Sequence, residues 1–176
     1  MSLEMFTLVA FGLLSATFIG LGIARKIRER RDEARSEVLG GNWRCRSQIP
    51  FPAPDPYLRF GSLETAMIFD TREGTDEGFE VAYFDVVRRG NRREHCAIVD
   101  LPVEPPMLDS RTPASARRGV GAKTSDALTS MAGMDVESAP FTILVHASQP
   151  ADAVEKAALH LAHAIVADAE TMRRFQ

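Results

Sequence analysis

Twenty consecutive residues near the N-terminus, 5–24, carry no charged side chain, and this run constrains the chain more than any other feature. A helix rises about 1.5 Å per residue, so the run would span about 30 Å, the thickness of a bilayer's hydrocarbon core. A buried helix of a globular domain would show a polar face, whereas the run's only polar side chains are Thr7, Ser15 and Thr17. The run therefore predicts a single transmembrane helix.

A cleaved signal peptide is the competing interpretation, because Gly22-Ile23-Ala24 has the small residues of a cleavage site. Signal peptides, however, carry positive charge before an apolar stretch of about 7–15 residues. Here Glu4 precedes a longer run. The basic residues follow it: Arg25, Lys26, Arg28, Arg30 and Arg31. By the positive-inside rule, we expect a plasma-membrane protein with its N-terminus outside and everything after residue 25 in the cytoplasm.

Small residues recur at every fourth position of the run and would form one stripe along the helix. They are Gly12, Ala16, Gly20 and Ala24. Bulky residues such as Phe11 and Phe18 would lie on the opposite side. A stripe of this kind lets another membrane helix approach closely, although Gly and Ala are also common in membrane helices generally. We interpret the stripe as a packing surface for a second copy of the chain or for another integral membrane protein.

The helix is expected to continue to residue 39, because residues 25–39 are good helix formers and Gly40-Gly41 can end a helix. Its second half would stand as a basic stalk in water or at the headgroups. The basic cluster after the run would attract anionic lipid, or would only set the orientation. Residues 1–41 are thus predicted to form a transmembrane and juxtamembrane helix, and residues 42–176 a cytoplasmic domain.

Periodicity predicts an α+β fold for this domain. Alternating residues predict a half-buried strand over 42–49, and prolines at every second position predict an extended connector over 50–56. A further strand is expected over 63–71, followed by a charged turn over 72–78.

The strongest element is a β-hairpin, because apolar-rich runs over 79–89 and 92–101 flank the turn Gly90-Asn91. A short helix begun by Ser125, a strand over 141–147 and a long helix capped by Ser148 should follow. These elements predict an antiparallel sheet closed by a C-terminal helix, and a pleckstrin-homology-like barrel would fit this description.

Four arginines bracket the turn of the hairpin: Arg88, Arg89, Arg92 and Arg93. One interpretation is a solvated turn whose charges discourage edge-to-edge association. The other is a surface that binds anionic lipid headgroups or an acidic protein.

The sequence offers no catalytic or metal-binding motif. His160 and His163 are three residues apart on the predicted C-terminal helix, a spacing that can place two ligands on one metal, but a solvated helix face explains both. Spacing pairs none of the other candidate titratable residues: Cys45, Asp70, Asp85, His95, Cys96, Asp100 and His146. The cysteines are expected to be small buried hydrophobes, and the histidines structural or solvated. A formal net charge of −3 gives no case for nucleic-acid binding. We expect a non-enzymatic protein with no cofactor; a hydrolase whose site the sequence hides is the remaining alternative.

The order of these elements resembles that of uncharacterised single-pass membrane proteins of actinobacteria. The resemblance rests on the span, the basic helix, Gly41-Asn42-Trp43, the hairpin ending over 95–102 and the strand over 141–145. An excess of 18 arginines over three lysines suits a genome rich in G and C. The resemblance implies an accessory subunit of a larger membrane complex, a class that includes subunits of respiratory supercomplexes. The alternative is a membrane-anchored adaptor that binds lipid or protein.

Overall fold

The structure, a computed structural model, describes residues 3–40, 42–49, 53–88, 92–109 and 120–174. Within them, six strands form one antiparallel sheet, accompanied by three α-helices. The helices are α1 (Leu3–Leu39), α2 (Ala122–Ser130) and α3 (Ala151–Arg173). The strands are β1 (Arg44–Gln48), β2 (Met67–Asp76), β3 (Phe79–Arg88), β4 (Arg92–Asp100), β5 (Asp135–Ala139) and β6 (Thr142–Ala147). The α+β class predicted from the sequence, with its C-terminal helix, is confirmed.

The sheet has the order β1-β2-β3-β4-β6-β5 and is open, so the barrel that the sequence suggested is not formed by the described strands. Its edges, β1 and β5, are each covered by another segment, which satisfies backbone groups that an exposed edge would leave unpaired. At β5, Ser138 donates its N–H to the carbonyl of Leu108 (2.9 Å), and Asp109 forms a bridge with Glu137. At β1, the covering segment is the second half of α1.

Both faces of the sheet are buried, because the central strands alternate apolar side chains between them. Tyr83 faces the core formed with α2 and α3. The next residue, Phe84, faces a second core beneath residues 53–66, which include the 3-10 turns Tyr57–Arg59 and Gly61–Leu63. The domain thus has three layers: helices, sheet and an irregular segment.

The end of α1 confirms the sequence prediction. The helix is continuous to Leu39, and Gly40 follows with φ +96°, a conformation that glycine adopts without steric cost. The side chains of residues 3–13 lie outside the described part of the structure. Over the part that it does describe, no helix has a stretch both long and apolar enough to cross a membrane.

The charged turn expected over 72–78 is wrong, because β2 continues to Asp76. Its charged side chains have partners across the strands: Arg72 lies over the Trp43 and Tyr83 rings, 5.5 and 4.8 Å from their centroids. The turn itself is only Glu77-Gly78. Both residues have positive φ, +47° and +88°, as the tight turns that match the twist of a hairpin require.

The start of α3 also differs from the prediction. The helix begins at Ala151 after Pro150, with no side-chain cap. Ser148, the expected cap, instead accepts a hydrogen bond from Arg92 Nε (3.1 Å). β5 was not predicted, because it is short and of mixed polarity, and its strand conformation depends on pairing with β6.

α2 begins earlier than expected because its cap comes from α3 rather than from Ser125. The Asp168 carboxylate accepts the backbone N–H and the hydroxyl of Thr124, both at 2.8 Å. Burial raises the pKa of Asp168, but hydrogen bonds from Thr124 and Lys123 outweigh burial, so the pKa lies below its ordinary value. The carboxylate therefore stays ionised at the positive end of α2.

Gly121→Ala should displace this cap, because a Cβ at position 121 would overlap the Asp168 carboxylate. We expect a loss of about 1 kcal/mol in the free energy of unfolding, the usual cost of a lost N-cap. Asp168→Ala should cost a similar amount, and the double variant little more, since both changes remove one interaction. Urea unfolding followed by Trp43 fluorescence measures this. Additive losses would contradict the shared mechanism.

Candidate functional site

The junction between α1 and β1 is built from two side chains of the helix. The Asp32 carboxylate accepts the backbone N–H of Ser47 (3.0 Å) and its hydroxyl (3.2 Å). The Ser36 hydroxyl accepts the backbone N–H of Cys45 (2.8 Å) and donates to the carbonyl of Asp32 (2.9 Å). Side chains of a helix thus take the place of a neighbouring strand at this edge.

α1 runs alongside β1 in the opposite direction. Arg28 donates to the Gln48 side chain (3.3 Å), while Asp32 and Ser36 reach residues nearer the start of β1. From Arg28 to Ser36 the helix rises about 12 Å, and β1 advances about 10 Å between the matching contacts. The sequence predicts that the second half of α1 stands in water or at the headgroups. This prediction is wrong, because that half of the helix is docked on the sheet edge.

This junction was missed from the sequence because the basic residues around it dominate the pattern. Asp32 and Ser36 are four apart, so they lie on one helix face and can meet consecutive outward N–H groups of a strand. That spacing was the available signal. The spacing predicts contact with a strand only once β1 is known to be an edge strand.

The first half of α1 presents exposed side chains. Ala16, Gly20 and Ala24 of the small-residue stripe are exposed, and a Cβ at Gly20 would meet nothing within 4 Å. Gly12 lies among the residues whose side chains are outside the description. On the opposite side Phe18 is 71% exposed. The stripe is therefore available to a partner helix.

The basic cluster after the apolar run is exposed along α1. Its members are Arg25, Lys26, Arg28, Arg30 and Arg31. Arg25 pairs with Glu29 (2.8 Å), a helical contact between exposed groups that contributes little to stability. Arg28 also donates a hydrogen bond to the Gln48 side chain at the junction.

The hairpin arginines do not form one equivalent set. Arg92 is exposed apart from its hydrogen bond to Ser148. Arg93 turns back onto the domain, where its Nε donates to Asp85 (3.0 Å) and its Nη2 reaches Asp70 (3.3 Å). The hydrogen bond to Asp85 is the main reason why the pKa of Arg93 lies above its ordinary value. Of the other two, the Arg88 side chain and all of Arg89 lie outside the described residues.

Arg93 belongs to a charged network that joins α1 to three strands. Asp85 is buried and also pairs with His95, its direct neighbour across β3 and β4. Asp70 pairs with Arg35 of α1 (3.1 Å). Its φ is +49°, and it lies at the irregularity in the pairing of β2 with β3. Sequence spacing could not pair Asp70 with Asp85, because the arginine that joins them comes from a third strand.

A second buried polar group lies on the other face of the sheet. His146 is 5% exposed, with Nδ1 3.2 Å from Glu94 and Nε2 3.6 Å from Glu137. The imidazole is the main reason why the pKa of Glu137 lies below its ordinary value. Cys45 and Cys96 are buried, as predicted, and form no disulfide. Among the described residues, no group of three or more potential ligands could hold a metal ion.

A cleft of about 610 Å³ lies between β1, β2 and the segment around Pro54. Two of its carboxylates are engaged by the fold: Glu73 accepts the Tyr57 hydroxyl (2.8 Å), and Asp100 accepts the Thr142 hydroxyl (3.1 Å). Burial raises the pKa of Asp100. The Tyr57–Glu73 contact ties the irregular segment to the sheet, and the Thr142–Asp100 contact joins the neighbouring strands β4 and β6, so both have a structural role.

No protein-family model matches this chain, and neither the curated proteins nor the solved structures include one that is similar to it. The resemblance to actinobacterial single-pass membrane proteins therefore stays a prediction.

Proposed function

We propose that this chain is a non-catalytic single-pass membrane protein that serves as an accessory or assembly subunit of a larger membrane complex. Its N-terminus lies outside the cell and its α+β domain in the cytoplasm. The observation that supports this proposal most is the continuity of α1. One unbroken helix carries the uncharged run over residues 5–24 and then docks, through Asp32 and Ser36, on the edge of the sheet.

A flexible tether would serve an independently acting domain, because such a domain needs only to stay near the membrane. A helix whose side chains replace a strand at the sheet edge instead holds the domain in one orientation. Fixed orientation suits a subunit that must meet a partner in the membrane and in the cytoplasm together.

The exposed apolar side chains of α1 support the same proposal. Phe18, Leu21 and Ile23 are 57–71% exposed. Apolar surface in water costs about 25 cal/mol per Å², and a contiguous exposed stretch marks contact with lipid or protein. A bilayer around the run, with a partner helix on the small-residue stripe, would cover these side chains.

A reporter fusion tests the topology. Alkaline phosphatase fused after Gln176 should be inactive, and a fluorescent protein at the same place should be fluorescent, because the basic residues 25–31 oppose translocation. Activity of each fusion is measured in intact cells, with a fusion to a known exported domain as the control. Active phosphatase would contradict the orientation and favour a cleaved signal peptide.

A further inference from the structure

The strand register places the β3–β4 hairpin at the end of the sheet from which α1 projects. We call this the proximal end. It contains Gln48 of β1, Met67 of β2 and Arg92 of β4. α1 leaves the sheet there, because its contacts with β1 finish at Arg28 and its N-terminal half continues past Gln48.

The hairpin reaches about as far beyond the sheet as the end of the uncharged run. Gln48 of β1 pairs with Phe69, Phe69 with Asp85, and Asp85 with His95 of β4, so Gln48 and His95 lie at the same level of the sheet. Arg92 lies three residues beyond His95, about 10 Å further out. Along α1, Ala24 lies four residues beyond Arg28, about 6 Å further out. Sheet twist swings the hairpin sideways but keeps it at the proximal end.

We infer that the hairpin end of the domain, around Arg92 and Met67, docks on the anionic headgroups of the bilayer that holds α1. This inference rests on the proposed function and adds an orientation and a partner to it. Arg92 and the basic residues of α1 present positive charge at the same level, which is complementary to an anionic cytoplasmic leaflet. Met67 lies at the same end of the sheet, across β3 from Arg93, and is 56% exposed, so an apolar side chain is available to the interface.

Asp70 and Asp135 are exposed carboxylates of the sheet, and both lie further from the bilayer than Arg92. Asp70 is three residues, about 10 Å, from Met67 along β2 and pairs with Arg35 and Arg93. Asp135 pairs with His146, which pairs with Cys96, four residues and about 13 Å from Arg92 along β4. Arg93 is 58% exposed, but its guanidinium is bound by the carboxylates of Asp85 and Asp70, which offset its charge. The docking charge of the described hairpin therefore comes from Arg92.

The opposite end of the domain supplies a matched control. α3 runs away from the proximal end, since His163 contacts Glu77 in the β2–β3 turn (2.9 Å). Met172 lies nine residues further, about 13 Å beyond that turn. It is 54% exposed, nearly the same as Met67. The two methionines are therefore similarly exposed but lie at different distances from the bilayer.

The experiment uses the full chain in lipid nanodiscs of phosphatidylcholine, alone or mixed with phosphatidylglycerol. Met67→Cys and Met172→Cys are each labelled with bimane, and nitroxide lipids labelled at the headgroup serve as quenchers. Unsubstituted chain reports the background, since Cys45 and Cys96 are buried. In anionic nanodiscs, quenching at position 67 should exceed quenching at position 172 several times, and phosphatidylcholine alone should reduce it.

Charge reversal tests whether Arg92 contributes. Arg92→Glu should lower the ratio of docked to undocked domain at least about fivefold, because that is the effect of one basic side chain near an anionic leaflet. Arg173→Glu, the same change in the last turn of α3, should have no effect. Raised salt should weaken docking of the unsubstituted chain.

The outcomes separate this inference from the proposed function. If the chain does not incorporate into nanodiscs, the membrane anchor itself is wrong. If it incorporates but positions 67 and 172 are quenched equally, or position 172 more, the inferred orientation is wrong. Quenching at position 67 that changes neither with lipid charge nor with Arg92→Glu would also overturn the inference. An acidic protein would then be the partner that the hairpin binds.

Discussion

Replacing both Asp32 and Ser36 with alanine is expected to lower the free energy of unfolding by about 3 kcal/mol. The double variant leaves the backbone N–H groups of Cys45 and Ser47 without their acceptors at a partly buried edge. Each unsatisfied buried donor costs about 1–3 kcal/mol. α1 should also separate from β1, because these hydrogen bonds hold the two together.

The measurement is urea unfolding of the full chain in nanodiscs, followed by the fluorescence of Trp43, the chain's only tryptophan. Glu33→Ala with Glu37→Ala is the matched control, since these neighbours are exposed on the same helix. Asp32→Asn keeps an acceptor and should recover part of the loss. An Asp32→Ala, Ser36→Ala variant as stable as the control would show that α1 does not support the sheet edge.

The second large effect concerns the stripe of the uncharged run. Replacing Gly12, Ala16 and Gly20 together with leucine keeps the run apolar, so insertion should survive. Each leucine would occupy the surface where the backbone of a neighbouring helix must lie. For an accessory subunit, we expect the triple variant to be released from its complex during extraction in mild detergent. Native mass measurement of the extracted protein reports the loss.

Substitutions on the opposite side of the helix are the control. Phe11→Leu with Phe18→Leu changes bulky residues without adding side chains to the stripe, and this variant should stay in the complex. A freely diffusing adaptor predicts that both variants and the unsubstituted chain migrate alone. Equal retention of the triple variant and the unsubstituted chain would show that the stripe does not hold the partner. The cytoplasmic domain would then have to recruit it.

Local signals were sufficient for the elements whose cause is local. The hairpin around Gly90-Asn91 was predicted because its two apolar arms are adjacent in the chain, and the end of α1 because Gly40 tolerates positive φ. The start of a helix was predicted wrongly where its cap comes from a residue that is distant in the sequence. Asp168 caps α2 from 44 residues away, a partner that no local pattern around Thr124 could reveal.

The candidate site divides in the same way. Charge and spacing identified the basic cluster and the hairpin arginines, but not which arginine is bound by a buried carboxylate. Arg92 and Arg93 are equivalent in the sequence, yet successive residues of a strand face opposite sides, and only Arg93 lies over the buried Asp85. A carboxylate on the neighbouring strand therefore decides whether an arginine of the hairpin is available to bind an anionic partner.

The sequence by itself determined the α+β class, the long N-terminal helix and the presence of the hairpin, because these depend on composition and periodicity along a few neighbouring residues. Tertiary structure alone decided that the sheet stays open, that Asp32 and Ser36 fasten α1 to its edge, and that Arg92 lies at the end from which α1 projects. The physical reason is that unpaired N–H groups at a sheet edge must find acceptors. Which distant side chains supply them depends on strand order, which local periodicity does not encode.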